Sequence, residues 1–457
     1  MVMRRALLLL ALVSGRGLAT DEDGGAVGGA GPDAGSPLLP PDDDCPAYDG
    51  GGMLCLGSFE VRNFADIDLV SSCAHITGDL ALGANGLIEI ELPLLERVDG
   101  SVTVVPAESL ERILLPELKE VGGSLGGNPV FLDELAVPLL RTVGGDLRLP
   151  VSDAAPGVSV PCLDAAGSLF AGRVAAPRLT AIAGDVAAGL DAALLTRIPG
   201  ALVYQPGANL PELVQVGDLS FVGIDSISLP ALRIVDRNAD LGCGGSQSIT
   251  ALVVELPSLV RAGTLHLCPW PALTSVELPM FFRILGPASL GGMTIGASAT
   301  LGPVDAPALS RINGNLVLDG ALSAPALSSI TGDVHANHSI DLPGLVTITG
   351  QLRLQVQNGT MVFPSLTTVT GLLRVAQSQA VELRAPLATS IGTLSISDNP
   401  ALEDIDFASL GSDLGALAIR RNPQLPTCQA IALRDQLIAA GWTGSAAILG
   451  NGDGSCP

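Results

Sequence analysis

The sequence predicts a mainly β fold, a parallel β-solenoid of roughly fifteen coils, each stacked about 4.8 Å from the next. Three observations carry the prediction. The first is a repeat best seen from Ile340 to Leu354, Ile-Asp-Leu-Pro-Gly-Leu-Val-Thr-Ile-Thr-Gly-Gln-Leu-Arg-Leu, an LPxL unit followed by a glycine and alternating leucines. Its prolines, from Pro93 through Pro116, Pro138, Pro177 and on to Pro386, are spaced by 23, 22, 39, 34, 19, 27, 22, 28, 18, 18, 21 and 22 residues. A period near twenty marks repeats that bury their apolar faces only against their neighbours. The second is the alternation of apolar residues, as in Gly145, Leu147 and Leu149, which gives short strands with one face inward. The third is that both ends depart from the repeat, as caps over open strand edges must.

Taken in order, residues 1–19 read as a secretory signal peptide. Met1 to Arg5 is basic, Ala6 to Val13 is apolar but too short to span a bilayer, and Gly17-Leu18-Ala19 supplies small residues for cleavage. Residues 20–54 are rich in Gly, Pro and Asp and read as a flexible acidic tether. Residues 55–75 form an N-terminal cap, in which Phe64 and Ile67 show helical spacing that would plug the first coil. Residues 76–421 carry the solenoid. Ser152 to Gly172 reads as an insertion that breaks the period, and Gly189 to Asn209 as a diluted coil or one lacking its proline. Residues 422–457 form the C-terminal cap, with a short helix from Cys428 to Ala440 presenting Ile431, Leu433, Leu437 and Ile438 and stopped by Gly441. Trp442 and Ile448 are expected beside it.

The chain has 457 residues, a formal net charge of −23 and 3% aromatic residues. That charge argues against nucleic acid and anionic membrane surfaces as partners. No other apolar segment is long enough to cross a membrane, so no membrane insertion is expected. Lys119 is the only lysine among 23 basic residues, and arginine's codons point to a GC-rich bacterial genome. Eight cysteines behind a signal peptide point to disulfides and an oxidising compartment. Cys55 and Cys73 bracket the first cap, Cys428 and Cys456 the last, and Cys243 and Cys268 fall about one coil apart, within disulfide reach if stacked. Cys45 in the tether and Cys162 remain, paired or free.

The segment Ser72-Cys73-Ala74-His75-Ile76-Thr77-Gly78-Asp79-Leu80-Ala81-Leu82, preceded by Cys55, Phe64 and Leu69, resembles the opening of the receptor L domain, the ligand-binding module of the insulin and epidermal growth factor receptors. The LPxLxxVxGxLxL coils are similar to that family and to fungal cell-wall proteins built from the same repeat. The resemblance covers about residues 55–420. It implies a right-handed leucine-rich solenoid whose N-terminal cap is closed by a Cys55–Cys73 disulfide, in a protein of the cell exterior. The sequence shows no kinase, transmembrane helix or furin-type cysteine-rich region, so receptor signalling is not implied.

Several residues have the chemistry of a site, and each also has a place in the repeat. Gly122-Gly123-Ser124-Leu125-Gly126 matches a nucleophile-elbow pattern, yet Ser124 fills the slot held by Asp146 and Gln351 in other coils. Asp146, Asp185 and Asp218 share that slot, with Asp79 and Asp333, and are calcium candidates if stacked. His335 and His338 would face opposite sides of a strand, which opposes metal binding. Glu255 and Glu277 lie one coil apart and have the makings of a glycosidase acid pair. Asn337-His338-Ser339 and Asn358-Gly359-Thr360 fit glycosylation sequons. No catalytic residue and no cofactor is assigned.

The functional expectation is a secreted or cell-surface, non-enzymatic scaffold, monomeric, binding an extracellular protein or glycan. Its binding face is expected on the irregular coils from Ser152 to Leu290. The alternative is a polysaccharide-active enzyme on a parallel β-helix, which needs acids converging on one groove. Aromatic platforms for sugars are scarce, with Trp270 and Trp442 the only tryptophans.

Overall fold

A computed structural model describes residues 45–454, apart from 84–85, 106–108, 128–131, 150–157, 222–225, 242–251, 268–272, 278–279, 281–282, 285–287, 291–303, 319–321, 338–339 and 356–358. The chain forms a mostly β solenoid of about 14 turns, with two helices among the described residues. The strands named here pair in parallel with the equivalent strand one coil away. Arg97–Val98 pairs with Glu120–Val121, Val102–Val104 with Leu125–Gly126, and Arg112–Leu114 with Glu134–Ala136. Each regular coil therefore contributes one short strand to each of three faces. The first face is a seven-stranded sheet that begins with Met53–Cys55 and ends with Ala181–Ile182. The second runs from Phe59–Val61 at one end to Ser445–Leu449 at the other. The third is built as separate sheets of three, six and three strands.

The LPxL unit is the corner that turns the third face into the first. In Leu92-Pro93-Leu94-Leu95 and Leu115-Pro116-Glu117-Leu118 the fourth residue's N–H donates to the first residue's carbonyl, at 3.4 and 3.2 Å. This is a β-turn with proline at its second position, where the fixed φ suits it and the missing N–H costs nothing. The first and fourth leucines point inward and are fully buried, as Leu115 and Leu118 are at 0% exposure. Stacked inward residues such as Leu80, Val102, Leu125 and Leu147 form columns along the core.

In the irregular region one expectation is corrected, and of the two readings given for the next coil, the one of a coil lacking its proline holds. Of the stretch from Ser152 to Gly172, the described part from residue 158 on belongs to a regular coil and is not an insertion. Val160-Pro161-Cys162-Leu163 is itself an LPxL corner, with Leu163 N–H donating to Val160 carbonyl at 3.1 Å, and Ala165–Ala166 pairs with the strands of the coils on either side. Valine in place of the first leucine, at Val160, and alanine in place of the strand's valine, at Ala166, hid it. Within Gly189 to Asn209 the coil is complete, with Ala193 standing where other coils carry proline and Leu195 N–H donating to Ala192 carbonyl at 3.4 Å. Turn geometry needs φ near proline's value there, which alanine also adopts.

The caps differ in detail from expectation. Cys55 and Cys73 form a disulfide, and the N-terminal helix α1 covers Phe64–Val70. Asn63 caps it, its side chain accepting from the N–H of Ala65 and Asp66 while Asp66 reaches back to the Asn63 N–H. Phe64 does not plug the coil, being 72% exposed, whereas Ile67 makes the expected contact, together with Val70. A seven-residue helix offers one narrow face, and the spacing i, i+3 of Ile67 and Val70 sets it. Residues 45–54, expected as the end of a tether, are anchored. Cys45 is buried and joined to Cys162, and Met53–Cys55 is the edge strand of the first face. At the other end helix α2 spans Thr427–Ala439 and buries Ala430, Leu433 and Leu437, whereas Ile431 and Ile438 are exposed. Gly441 at φ +93° ends it. The Gln429 and Gln436 side chains cover the edge of the last strand of the third face, Gln429 accepting from Ile405 N–H and Gln436 donating to the carbonyls of Phe407 and Leu410. Trp442 is buried, its indole N–H donating to the Leu414 carbonyl.

Candidate functional site

The polar slot between the repeat's glycine and leucine is a coil-to-coil ladder. Asp79 Oδ1 accepts the Ser101 N–H at 2.7 Å, Ser101 Oγ accepts from Ser124 at 3.1 Å, and Ser124 Oγ accepts from Asp146 at 3.0 Å. The same step recurs from Ser168 to Asp185, from Asp185 to Ala201, from Asp218 to Asn238 and from Asp333 to Gln351. The glycine before the slot exists for the side chain one coil earlier. A Cβ on Gly100 would lie 2.3 Å from Asp79 Oδ1, and one on Gly123 2.3 Å from Ser101 Oγ. Short acceptors therefore fill this slot, because only they reach the next N–H without climbing past it.

This ladder disposes of two candidates. Ser124 is hydrogen-bonded as a rung and immediately precedes the Leu125–Gly126 strand, not a strand-to-helix elbow. Asp146, Asp185 and Asp218 are not on successive coils, since Ser168 lies between the first two and Ala201 between the last two. Two coil steps separate them by about 10 Å, too far for ligands held about 2.4 Å from one calcium ion. Their oxygens have other partners: Asp146 meets Arg148 at 2.8 Å, Asp218 meets Arg237 at 2.6 Å, and Asp185 takes the Ala201 N–H. Among the described residues no group of three or more His, Cys, Asp or Glu is placed to hold a metal.

The first face carries an open trough of about 400 Å³, floored by Gly122, Gly144, Gly167, Thr142, Ala165 and Ala181. Arg97 and Glu120 close one end, bonded at 2.7 Å. Beside them Arg97 donates to Asp99 at 2.7 Å and lies 5.5 Å from the centre of the Tyr48 ring, which meets His75 edge-on at 5.7 Å. The Arg97 hydrogen bond holds the Asp99 carboxyl below its ordinary value. His75 Nε2 lies 2.9 Å from Asp99 Oδ2 but without hydrogen-bond alignment. A row of ion pairs flanks the trough, Glu96 with Lys119 at 3.0 Å and Asp164 with both Arg141 and Arg178 at 2.7 and 3.4 Å. Lys119 and Arg178 are each 7% exposed. Sequence reasoning missed this surface, because Tyr48 lay in the supposed tether and its partners are spread over coils that only stacking brings together.

The other candidates are placed as follows. Glu255 and Glu277 are register partners on adjacent third-face strands, followed in the same row by Asp305. His335 lies on an outward strand position and His338 lies outside the described residues. Asn337 is half-buried, and Asn358 is outside the described residues. Cys45 and Cys162 are paired, which the sequence left open. Cys428 is disulfide-bonded. Its expected partner Cys456, and Cys243, Cys268 and Trp270, lie outside the described residues. The two complete disulfides accord with an oxidising environment. No helix among the described residues is long and apolar enough to cross a membrane.

A second ladder, at the C-terminal end, is buried. Asn399 and Asn422 are fully enclosed, and Asn399 Nδ2 donates to Asn422 Oδ1 at 2.9 Å while Asn422 Nδ2 donates to Asn451 Oδ1 at 2.9 Å. Each also donates to an inner carbonyl, of Val375 and Ile396 respectively. The residue before each rung turns left-handed, with Asp398 at φ 60°, Arg421 at φ 55° and Gly450 at φ 66°. The asparagines satisfy backbone groups that this turn takes out of the strand ladders.

No protein-family profile matches the chain. A 77-residue stretch is 36% identical to an ATP phosphoribosyltransferase of Candida glabrata, covering 16% of this chain. The chain spans about a quarter of that curated relative's length, 24%, and the likeness is confined to that part.

Proposed function

We propose that this is a secreted or cell-surface, L-domain-like repeat protein acting as a non-enzymatic scaffold that binds an extracellular protein or glycan. The observation that carries this reading is the use of the chain's polar groups. The acids and hydroxyls of the glycine-flanked slot hold one coil to the next, and the ion pairs beside the trough are joined across coils in the same way. An enzyme needs such groups poised for substrate, with shifted acidities and convergent geometry. Here they maintain a long, rigid, parallel rod whose outward faces are free to present side chains. The open first-face trough, with Tyr48, Arg97 and Glu120 at its head, is the surface proposed to meet a partner.

The test is a pull-down from cell-envelope extract with the full chain, run beside a polysaccharide hydrolysis panel. Recovery of a specific protein or glycan that is lost on Arg97→Ala and Tyr48→Ala supports the reading. Turnover of a polysaccharide with no partner recovered overturns it in favour of the enzyme.

A further inference from the structure

Carboxylates outnumber cations two to one in this chain, 46 to 23. Many arginines are accordingly found against acids, as Arg97, Arg112, Arg141, Arg148, Arg237 and Arg421 are. One row on the second face departs from this. His335, Arg353 and Arg374 occupy the same outward position on three successive strands, with His335 in register with Arg353 and Arg353 with Arg374. All three are exposed, and coil stacking sets them about 4.8 Å apart at the backbone.

Asp333 Oδ1 accepts the Gln351 N–H at 2.8 Å, and Asp398, whose field reaches Arg374, is bonded through both oxygens to Arg421. The group that holds Arg353 is neutral: its Nε and Nη2 donate to Gln351 Oε1 at 3.1 and 2.7 Å. The guanidinium is thereby positioned without being neutralised. Neighbouring outward positions include amides and hydroxyls, with Gln355 bonded to Gln377 at 3.3 Å and Thr393 and Ser395 on the next strand, while Val317 is the register partner of His335 at the other end. Like charges opposite one another on adjacent strands destabilise a sheet unless an anion joins them.

We infer that His335, Arg353 and Arg374 form a linear anion-binding stripe for an acidic polysaccharide. This rests on the glycan branch of the scaffold reading and names its ligand class. A linear polyuronate bears one carboxylate per sugar, at a rise comparable to the coil spacing, and is thin enough to follow the stripe. A nucleic-acid duplex would press a broad phosphate field onto an acidic body. A protein partner needs about 800 Å² with apolar or aromatic anchors, whereas the residues that continue the row are Val317 at one end and Ser395 at the other.

The experiment is affinity electrophoresis of the full chain through gels containing polygalacturonate or neutral dextran. The chain should be retarded by polygalacturonate alone, and the effect should fade between about 0.1 M and about 1 M salt as screening shortens from about 10 to about 3 Å. Arg353→Gln with Arg374→Gln should weaken retardation about tenfold, as two exposed charge contacts of about 0.7 kcal/mol each would give. Arg112→Gln with Arg384→Gln, both on the third face and paired with Glu89 and Asp404, should leave it unchanged and controls for the loss of two charges. Equal retardation of the double variant, or none of the wild type, overturns the stripe. If an envelope partner is still recovered in that case, the scaffold reading stands without it.

Discussion

Asn422→Ala tests whether the asparagine ladder holds the C-terminal coils. The wild-type side chain accepts the Asn399 N–H at 3.2 Å and Asn399 Nδ2 at 2.9 Å, and donates to the Ile396 carbonyl and Asn451 Oδ1 at 3.2 and 2.9 Å. Alanine leaves the enclosed Asn399 N–H and a lone pair of the Ile396 carbonyl without these partners, and a buried polar group so stranded costs about 1–3 kcal/mol. With the lost side-chain bonds the expected cost is about 3–5 kcal/mol. In a solenoid this loss is felt by the neighbouring coils rather than spread over the rod. Hydrogen exchange is therefore the assay, read at the Asn399 and Asn422 amides. About 2.7 kcal/mol corresponds to a hundredfold faster exchange, which is the minimum expected. Asn451→Ala, at a half-buried rung, should cost less. Acceleration of less than about tenfold at Asn399 would refute the reasoning.

Three further outcomes follow from the same packing. Gly100→Ala places a methyl 2.3 Å from Asp79 Oδ1 and should lower stability by about 1–3 kcal/mol in urea titration, and Asp79→Ala made with it should recover part of that loss. Cys45→Ser with Cys162→Ser opens a loop of 117 residues, for which chain entropy predicts a loss of up to about 4–5 kcal/mol; limited proteolysis should then cut first within residues 45–52. Burial, the largest influence, raises the Asp240 carboxyl above its ordinary value of 3.8, so its ionised form is disfavoured in the folded state. Asp240→Asn should therefore stabilise the protein at about pH 7, and the gain should shrink as pH falls through the folded pKa and vanish below the unfolded one, as urea midpoints at about pH 7 and about pH 3 will show.

The proline spacing and leucine alternation were enough to specify parallel coils, because in a solenoid each repeat contacts its neighbours in sequence and local pattern becomes architecture directly. The same locality made the C-terminal helix and the bracketing of the first cap by Cys55 and Cys73 legible. What escaped were coils whose core residues were small. Cys162 and Ala193 occupy ordinary corner positions but carry no sequence signal for them, and misreading them displaced Asp146, Asp185 and Asp218 into a stack that does not exist. Phe64 shows the converse, an apolar residue assigned inward that the short helix turns out.

The sequence by itself determined the repeat, its strand period and the identity of the groups at each outward slot. Tertiary structure alone decided what those groups meet, since register between coils separates residues by about twenty positions with a variable remainder. Whether Asp79 reaches an N–H or a cation, whether Cys45 finds Cys162, and whether Arg353 stands above Arg374 all depend on that remainder. A shift of one residue would turn each outward side chain inward, so only the stacked core fixes the rows that a ligand would meet.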